Sequence, residues 1–575
     1  MPKTLEAVPR EPDAARVRSP RELAGAAGSP APEPFAESSQ LWWDVALVTT
    51  LALAVRLLQL DRPPQFDELY HVIAARSWAT DGTLALGSGS YTRAAGFTIL
   101  IGILFKLFGT SLVVARLPSI IAGSLWVAAV HRWTGRKLGR WPGAVTGVIF
   151  ALDPGAIYLS EFARFYALQG LLVWLGAISV YALMEERLTG GAAVRATAGA
   201  LVSLGLALYL QVTTLVGLAG IGVWAAWQLG RRLVVRARED RRAGAVLIAV
   251  TAGLLLLVVA AVWLGAVERL WAMYRETPIW GEPAKDDWHY YERWFLFRYP
   301  VLWLLLPLAA GTALLVSRRV AGFAVTVFVV SIAIFSGAAL KTERYIYFVI
   351  PFFFAIWGVA LVAWLPRARR TLAAAVHRLA PAGWSLRARR VAVGAAAALI
   401  VGWLVVYDEA FSMTLHMVLR DRPAAEYQET DWDRAAPELR QLADSADVVV
   451  STALPKALFY LGRADVTLSL TELGELGRVN GAPVEFKVDP RTGRPAISSP
   501  ASLQRLMSCY ARGLVLIEDQ HWRNTVVVPD STRAFLAAHT VEVPLPSAWL
   551  VHARRWTSPP PAPGAACPPW RTERP

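Results

Sequence analysis

Charge is the scarcest property of this sequence. Only 18% of its 575 residues are Asp, Glu, Lys or Arg, against roughly a quarter in soluble globular chains. An ordinary soluble domain is therefore excluded for most of the length. Cysteine is scarcer still. Cys509 and Cys567 are too few for a disulfide framework or a cysteine-built metal centre, and they leave open a single bridge. No Walker loop, no G-x-G-x-x-G after a strand and no H-E-x-x-H occurs, so an energised pump or a nucleotide-dependent enzyme has no support. Residues 1–40 lack the apolar core of a cleavable signal. They are rich in Pro, Ala, Glu and Arg and read as a disordered cytoplasmic tail.

Hydrophobic sequence is what fills the space. Mean hydropathy is +0.40, and continuously apolar runs recur from Leu41 to Tyr407. Each is about 17–25 residues, long enough to cross a bilayer as a helix. The expected spans are 42–60, 112–131, 141–159, 163–184, 195–211, 213–230, 243–264, 300–316, 320–339, 345–365 and 391–407, about eleven in all. The fold class expected is a polytopic α-helical membrane protein, its membrane domain covering 41–407. The shorter stretch from Thr92 to Gly109 carries Arg93 and Lys106. It is read as a juxtamembrane helix within a first outer loop, 61–111.

The formal net charge of +14 does not point to nucleic acid, because the cations form no stripe with interleaved aromatics. They sit in short loops, at Arg132–Arg140, Arg231–Arg242, Arg318–Arg319 and Arg367–Arg390. With the N-terminus inside, all four loops fall on the cytoplasmic side, as the positive-inside rule demands. The remaining charged loops then share the outer face: Asp67-Glu68, Glu161 with Arg164, the loop Glu268–Arg298, and Lys341 with Arg344.

From Asp408 the polarity becomes ordinary. Short β-branched runs, Asp447–Ser451 and Gly513–Ile517, alternate with helical patterns such as Ala436–Ala443 and Ser502–Ala511. That predicts a small extracytoplasmic α/β domain over 408–556, with a Pro-rich disordered tail over 557–575.

Each outer motif has a plainer reading beside the chemical one. Asp67 and Glu68 suit a helix N-terminus, but a carboxylate near an apolar interface can also serve as a base. Arg164 can pair with Glu161 at i,i+3, or turn its planar fork to a phosphate. Lys341 and Arg344 are either interfacial anchors, with Tyr345 in an aromatic belt, or the cations of a lipid phosphate site. Asp153 is ionisable within an apolar span and so a functional candidate; the alternative is that Pro154 sets it in a helix break with local partners. The loop 271–299 offers Tyr290 and His289 for substrate. His289 with Asp286 is all that speaks for a divalent metal, short of the usual ligand sets. No cofactor is firmly implied.

Taken in order, these motifs resemble the GT-C superfamily of membrane glycosyltransferases. The branch is the one using polyprenyl-phosphate sugars: protein O-mannosyltransferases, aminoarabinose transferases of lipid A and transferases of lipopolysaccharide core sugars. The marks are Phe66–Tyr70 with Ala74–Arg76, Leu107–Gly109 with Ala115–Ser119, Tyr158–Ser160 with Ala163–Tyr166, and Lys341 with Arg344-Tyr345 and Pro351. Where the family often has a basic residue and a proline run, this chain has Tyr91–Phe97, with Arg93 keeping the basic role. The resemblance implies an inverting sugar transfer to a hydroxyl acceptor (glycan, lipid or protein) at the outer face of the bacterial inner membrane. Asp67 becomes the base and Glu68 its support. Arg164, Lys341, Arg344 and Tyr345 become the phosphate site, and Arg93, Asp153, Glu161, Tyr166, His289 and Tyr290 further substrate contacts. The alternative is a transporter or flippase of a lipid-linked glycan, which would concentrate its charges near the midplane. A plain membrane anchor for the outer domain would need far fewer spans.

Overall fold

The computed structural model describes residues 39–238 except 59 and 61, 281–419 except 382 and 408, and 430–559. It also describes isolated positions between 240 and 277, and Cys567. The span expected at 243–264 lies almost wholly outside the described residues, as do the tail at 1–38 and most of 560–575.

The membrane part opens with α1 (Ser39–Arg56), α2 (Phe66–Asp81), a two-residue-per-strand hairpin β1 (Ala85–Leu86) and β2 (Gly89–Ser90), and α3 (Ala95–Phe108). Then come α4 (Leu112–Leu138), α5 (Arg140–Ala151), α6 (Pro154–Ser160), α7 (Tyr166–Glu185), α8 (Gly190–Leu210) and α9 (Thr214–Ala237). Beyond the gap lie α10 (Tyr290–Arg298), α11 (Leu306–Val316), α12 (Arg318–Ser336), α13 (Glu343–Ile346), α14 (Ile350–Leu379), α15 (Leu386–Tyr407) and α16 (Glu409–Leu419).

Among the described residues, five helices are each long and apolar enough to cross a bilayer: α4, α7, α8, α12, and the run Glu343–Leu379 that joins α13 to α14. A sixth forms if α5 and α6, bent by 60° at their junction, are taken as one span. The expected count of about eleven is thus met by fewer helices on length and apolarity alone. The expected span at 300–316 is split at Leu305 into two short helices. The bend after α5 has a clear cause. Pro154 cannot continue a helix, and Asp153 instead caps α6, its carboxylate accepting the Ala156 amide at 2.8 Å. Carbonyls freed by the break find donors elsewhere, as membrane burial requires. Buried Arg56 donates to Ala151 O at 3.1 Å, and Thr414 to Leu152 O at 2.6 Å.

Helix α4 is the hub and packs on α1, α5, α6 and α7. Small residues permit the closest approaches. A Cβ on Gly170 would lie 2.1 Å from the Trp126 ring, and one on Gly143 2.4 Å from Gly135. Large apolar side chains such as Leu107, Trp141, Leu201, Trp227 and Leu315 point outward, the expected face toward lipid.

The C-terminal part begins at α17 (Trp432–Asp444) and is built on a seven-stranded sheet. Its strands are β3 (Val448–Ser451), β4 (Val466–Leu468), β7 (Lys487–Asp489), β8 (Arg494–Ile497), β9 (Arg512–Glu518), β10 (Val541–Val543) and β11 (Val551–Thr557), in the order β10-β11-β9-β3-β4-β8-β7. A separate small hairpin pairs β5 (Arg478–Val479) with β6 (Ala482–Pro483). The four central strands run parallel and the edges antiparallel. Strand β3 is buried on both faces, which explains its unbroken apolar sequence. Val449, Leu514 and Leu516 pack under α17 and α18 (Leu454–Leu461). Val448, Val450, Val515 and Ile517 pack on the other side with Leu503, Leu506 and Leu536. Cys509 is bonded to Cys567.

Among the described residues, the two parts meet at the β1–β2 hairpin and along α2. Ser88 and Ser90 of the β1–β2 hairpin donate their amides to Thr492 O (3.1 Å) and Pro490 O (3.4 Å). Helix α2 packs on α18, with the Arg76 guanidinium over the Phe459 ring.

Candidate active site

The geometry begins with the N-terminus of α2. Two acids occupy its first turn, and the backbone sends their side chains to different places. Glu68 turns inward, is 1% exposed, and accepts from Arg116 Nη2 (2.6 Å), Arg116 Nε (3.2 Å), the Ala163 amide (3.0 Å) and the Gln65 amide (2.8 Å). Arg116 also donates to Leu60 O and Arg62 O. Burial raises the Glu68 carboxyl, but its pairing with Arg116 outweighs that and holds it below the usual range. Glu68, expected as a second catalytic carboxylate, has its oxygens fully engaged and does not line the cavity. Its place is a structural knot between the first loop, α4 and the turn before α7.

Asp67 faces the other way, onto a cavity of about 610 Å³. One of its oxygens meets Arg164 Nη1 at 2.6 Å and also pairs with Arg344. Burial alone would raise this carboxyl. Arg164, Arg344 and, more distantly, Arg93 overcome it and hold the group well below the usual carboxylate range. Arg164 is almost wholly buried, its Nε has no hydrogen-bond partner, and its guanidinium lies over Phe165 and Tyr166. Arg93 reaches Gln211 Oε1 at 2.6 Å and lies over Phe165. The membrane side of the cavity is lined by Asp67, Arg93, Arg164, Tyr166, Arg344 and Tyr345, with Phe66, Tyr70 and Tyr91 beside them. The chain thus brings together, from α2, the loop before α3, the turn before α7 and α13, an anionic group ringed by three guanidiniums.

Other expected residues lie elsewhere. Lys341 does not line the cavity; its ammonium donates to Ala284 O (2.8 Å) and Lys285 O (2.7 Å), clamping a neighbouring loop. Asp153 is spent on the α6 cap and accepts the Tyr299 hydroxyl. Glu161 pairs with Arg62 at 3.3 Å, and burial pushes its carboxyl up to about 7. His289 is exposed and pairs with Glu292 at 2.5 Å, while Tyr290 packs edge-on against Tyr291; neither lines the cavity. Among the described residues, no three His, Cys, Asp or Glu side chains gather as a metal site.

The opposite wall was not expected from the sequence. Thr471, Glu472, Glu475 and Arg491 of the C-terminal part complete the cavity. Arg491 pairs with Glu472 (2.5 Å), Asp489 (2.9 Å) and Glu475 (3.4 Å), and its guanidinium lies over Tyr70. No periodicity or motif marks these residues. Tyr70, one turn after Asp67 on the same helix face, was the only signal within reach.

No protein-family model matches the sequence, and no curated protein matches it. Solved structures do. ArnT from Cupriavidus metallidurans bound to undecaprenyl phosphate aligns with a TM-score of 0.52 at 17% identity, covering 92% of this chain and 100% of that one. Its apo form aligns at 0.50 and 16% identity, covering 90% and 98%. The archaeal oligosaccharyltransferase AglB from Archaeoglobus fulgidus, in complex with an inhibitory peptide and a dolichol-phosphate, aligns at 0.54 and 11% identity, covering 88% and 73%. Likeness on this scale, over 92% of the chain in one case and 88% in the other, shows that the chain shares the fold of these proteins through both the membrane helices and the C-terminal part.

Proposed function

We propose that this chain is an inverting glycosyltransferase that moves a sugar from a polyprenyl-phosphate-linked donor to a hydroxyl acceptor, with the cavity at the outer face of the membrane. The observation that carries the reading is Asp67 set against Arg164 and Arg344 at the wall of the cavity. The undecaprenyl phosphate and dolichol-phosphate held by the similar proteins support a lipid phosphate as the anion. The Cys509–Cys567 bridge supports an oxidising compartment for the C-terminal part.

The chemistry follows from the charges. Both arginines pair with Asp67. A donor phosphodiester offers them further oxygens, since each guanidinium has five N–H donors, and its arrival draws them off the carboxylate. The freed Asp67 then takes the proton of the acceptor hydroxyl as its oxygen attacks the anomeric carbon. The bond from that carbon to the phosphate oxygen breaks, and the electron pair stays on the phosphate. Charge on the phosphate grows from about −1 to about −2, so the arginines bind the transition state more strongly than the ground state. No acid is needed for this leaving group. Lys341 is replaced in the cation set by Arg93, which lines the cavity.

Transport is disfavoured by Asp153, the residue that most favoured it in the sequence; its carboxylate caps a helix rather than lining a path. Mass spectrometry of envelope glycans and lipid-linked sugars in cells with and without the gene tests the reading, and transfer by the purified protein in detergent, where no second compartment exists, separates it from transport. Loss of one sugar from a glycan, with its lipid-linked form accumulating, is expected. An unchanged set of sugars on every glycan would contradict transfer.

A further inference from the structure

The wall contributed by the C-terminal part has a chemistry unlike the floor. A cavity of about 610 Å³ falls within the 300–1,000 Å³ or so of sites that enclose a drug-sized molecule. A phosphate on Arg164 and Arg344 leaves most of it unfilled. Across from those cations stand two carboxylates, Glu472 and Glu475, with Arg491 between them. The cluster is fixed in place. Glu472 lies in the first turn of the helix Leu470–Leu476, its amide donating to Ser469 Oγ at 3.2 Å. The turn carrying Arg491 is pinned by Ser90 to the membrane part.

Building on the reading of the phosphate site above, we propose that Glu472, Glu475 and Arg491 form a polyhydroxyl subsite that holds a sugar ring. Sugar hydroxyls donate and accept at once, so they need acceptors and donors side by side. The carboxylates supply the first and the guanidinium fork the second. Tyr70 and Tyr91, both buried and stacked with centroids 5.2 Å apart, back the cluster, the Arg491 guanidinium lying over the Tyr70 ring. A second phosphate is the wrong ligand, because the carboxylates would repel it. Burial, partly offset by Arg491, pushes the Glu472 carboxyl up to about 7.

The test is a binding titration of the full-length protein in nanodiscs against three kinds of probe. The first is undecaprenyl phosphate. The second is the same lipid carrying glucose, mannose, galactose or arabinose, each separately. The third is the free disaccharides of those sugars, added with the bare lipid present. If the subsite holds the donor's sugar, one sugar-bearing lipid binds wild type about tenfold or more tighter than the bare lipid. That ratio falls toward one in E472Q and in E475Q, with bare-lipid affinity unchanged. If it holds the acceptor's sugar, the two lipids bind equally, and a disaccharide binds wild type but neither variant. Variants that bind every probe as wild type does, a wild type that distinguishes none of them, or equal loss of bare and sugar-bearing lipid would overturn the proposal. The double variant R164A/R344A reports separately on the phosphate reading. If it keeps bare-lipid affinity, that reading fails, while the Glu472 and Glu475 variants still judge the subsite.

Discussion

Asp67 and Glu68 are neighbours in sequence and opposites in environment, so substituting them has opposite consequences. Glu68→Gln leaves Arg116 charged, buried and short of its partner. Breaking such a pair costs about 3–5 kcal/mol, so the expected result is a lower melting temperature and poor yield, with near-normal turnover in whatever folds. Normal stability with lost turnover would return Glu68 to the chemistry. Arg164→Ala and Arg344→Ala each remove charge-assisted donors worth about 1.5–3 kcal/mol. Isothermal titration with undecaprenyl phosphate should show weakening of about ten- to a hundredfold for each, and unchanged affinity would mean that the pair serves only to hold Asp67. The grouping of Asp67, Arg164 and Arg344 was legible in the sequence, because cations outside the inner loops stand out against the positive-inside pattern. Lys341 gave the same signal yet turns its ammonium to loop carbonyls. Loop charge reads the side of the membrane, not the direction of a side chain.

Among the elements, helices were legible and their breaks only in part. Pro154 marks a break beside Asp153, although hydropathy over a window averages across the junction and leaves the span unbroken, where the two helices meet at 60°. Leu305 splits another run, and Pro307 in the first turn of the second helix is the signal that the hydropathy window passes over. The β1–β2 hairpin was read as loop, its strands being two residues each. Yet it seats the C-terminal part on the site. A Cβ on Gly89 would come within 2.6 Å of the Gly493 amide and 2.7 Å of Arg491 O. Gly89→Val should therefore push the turn carrying Arg491 away from the cavity. Transfer should fall while α4 and its neighbours keep their packing, seen as lost activity and faster proteolysis within 478–495 at an unchanged helical circular dichroism signal. Normal activity would mean that the hairpin tolerates displacement.

The whole molecule places its chemistry between two parts of different character, and only one of them had its share of the site readable in the sequence. Composition and loop charge disclose a membrane protein with one chemically loaded face. Nothing in composition tells which residues of a mixed sheet's connecting turns will reach back to that face, so Glu472 and Arg491 stayed silent. Sidedness is open to a direct check through the Cys509–Cys567 bridge. After mild reduction of intact cells, a membrane-impermeant maleimide should label the protein, and labelling only after lysis would put the C-terminal part inside. The central claim, that Asp67 is a base held in check by the cations of a phosphate site, meets its most direct test in Asp67→Asn. Transfer and undecaprenyl phosphate affinity should be measured on the same preparation. Removing the carboxylate removes the phosphate's competitor for Arg164 and Arg344, so the lipid should bind as tightly as in wild type or more so. Transfer should drop about 10²–10⁴-fold, the range for loss of a general base. Turnover at the wild-type rate, or lipid binding lost together with turnover, would contradict the account.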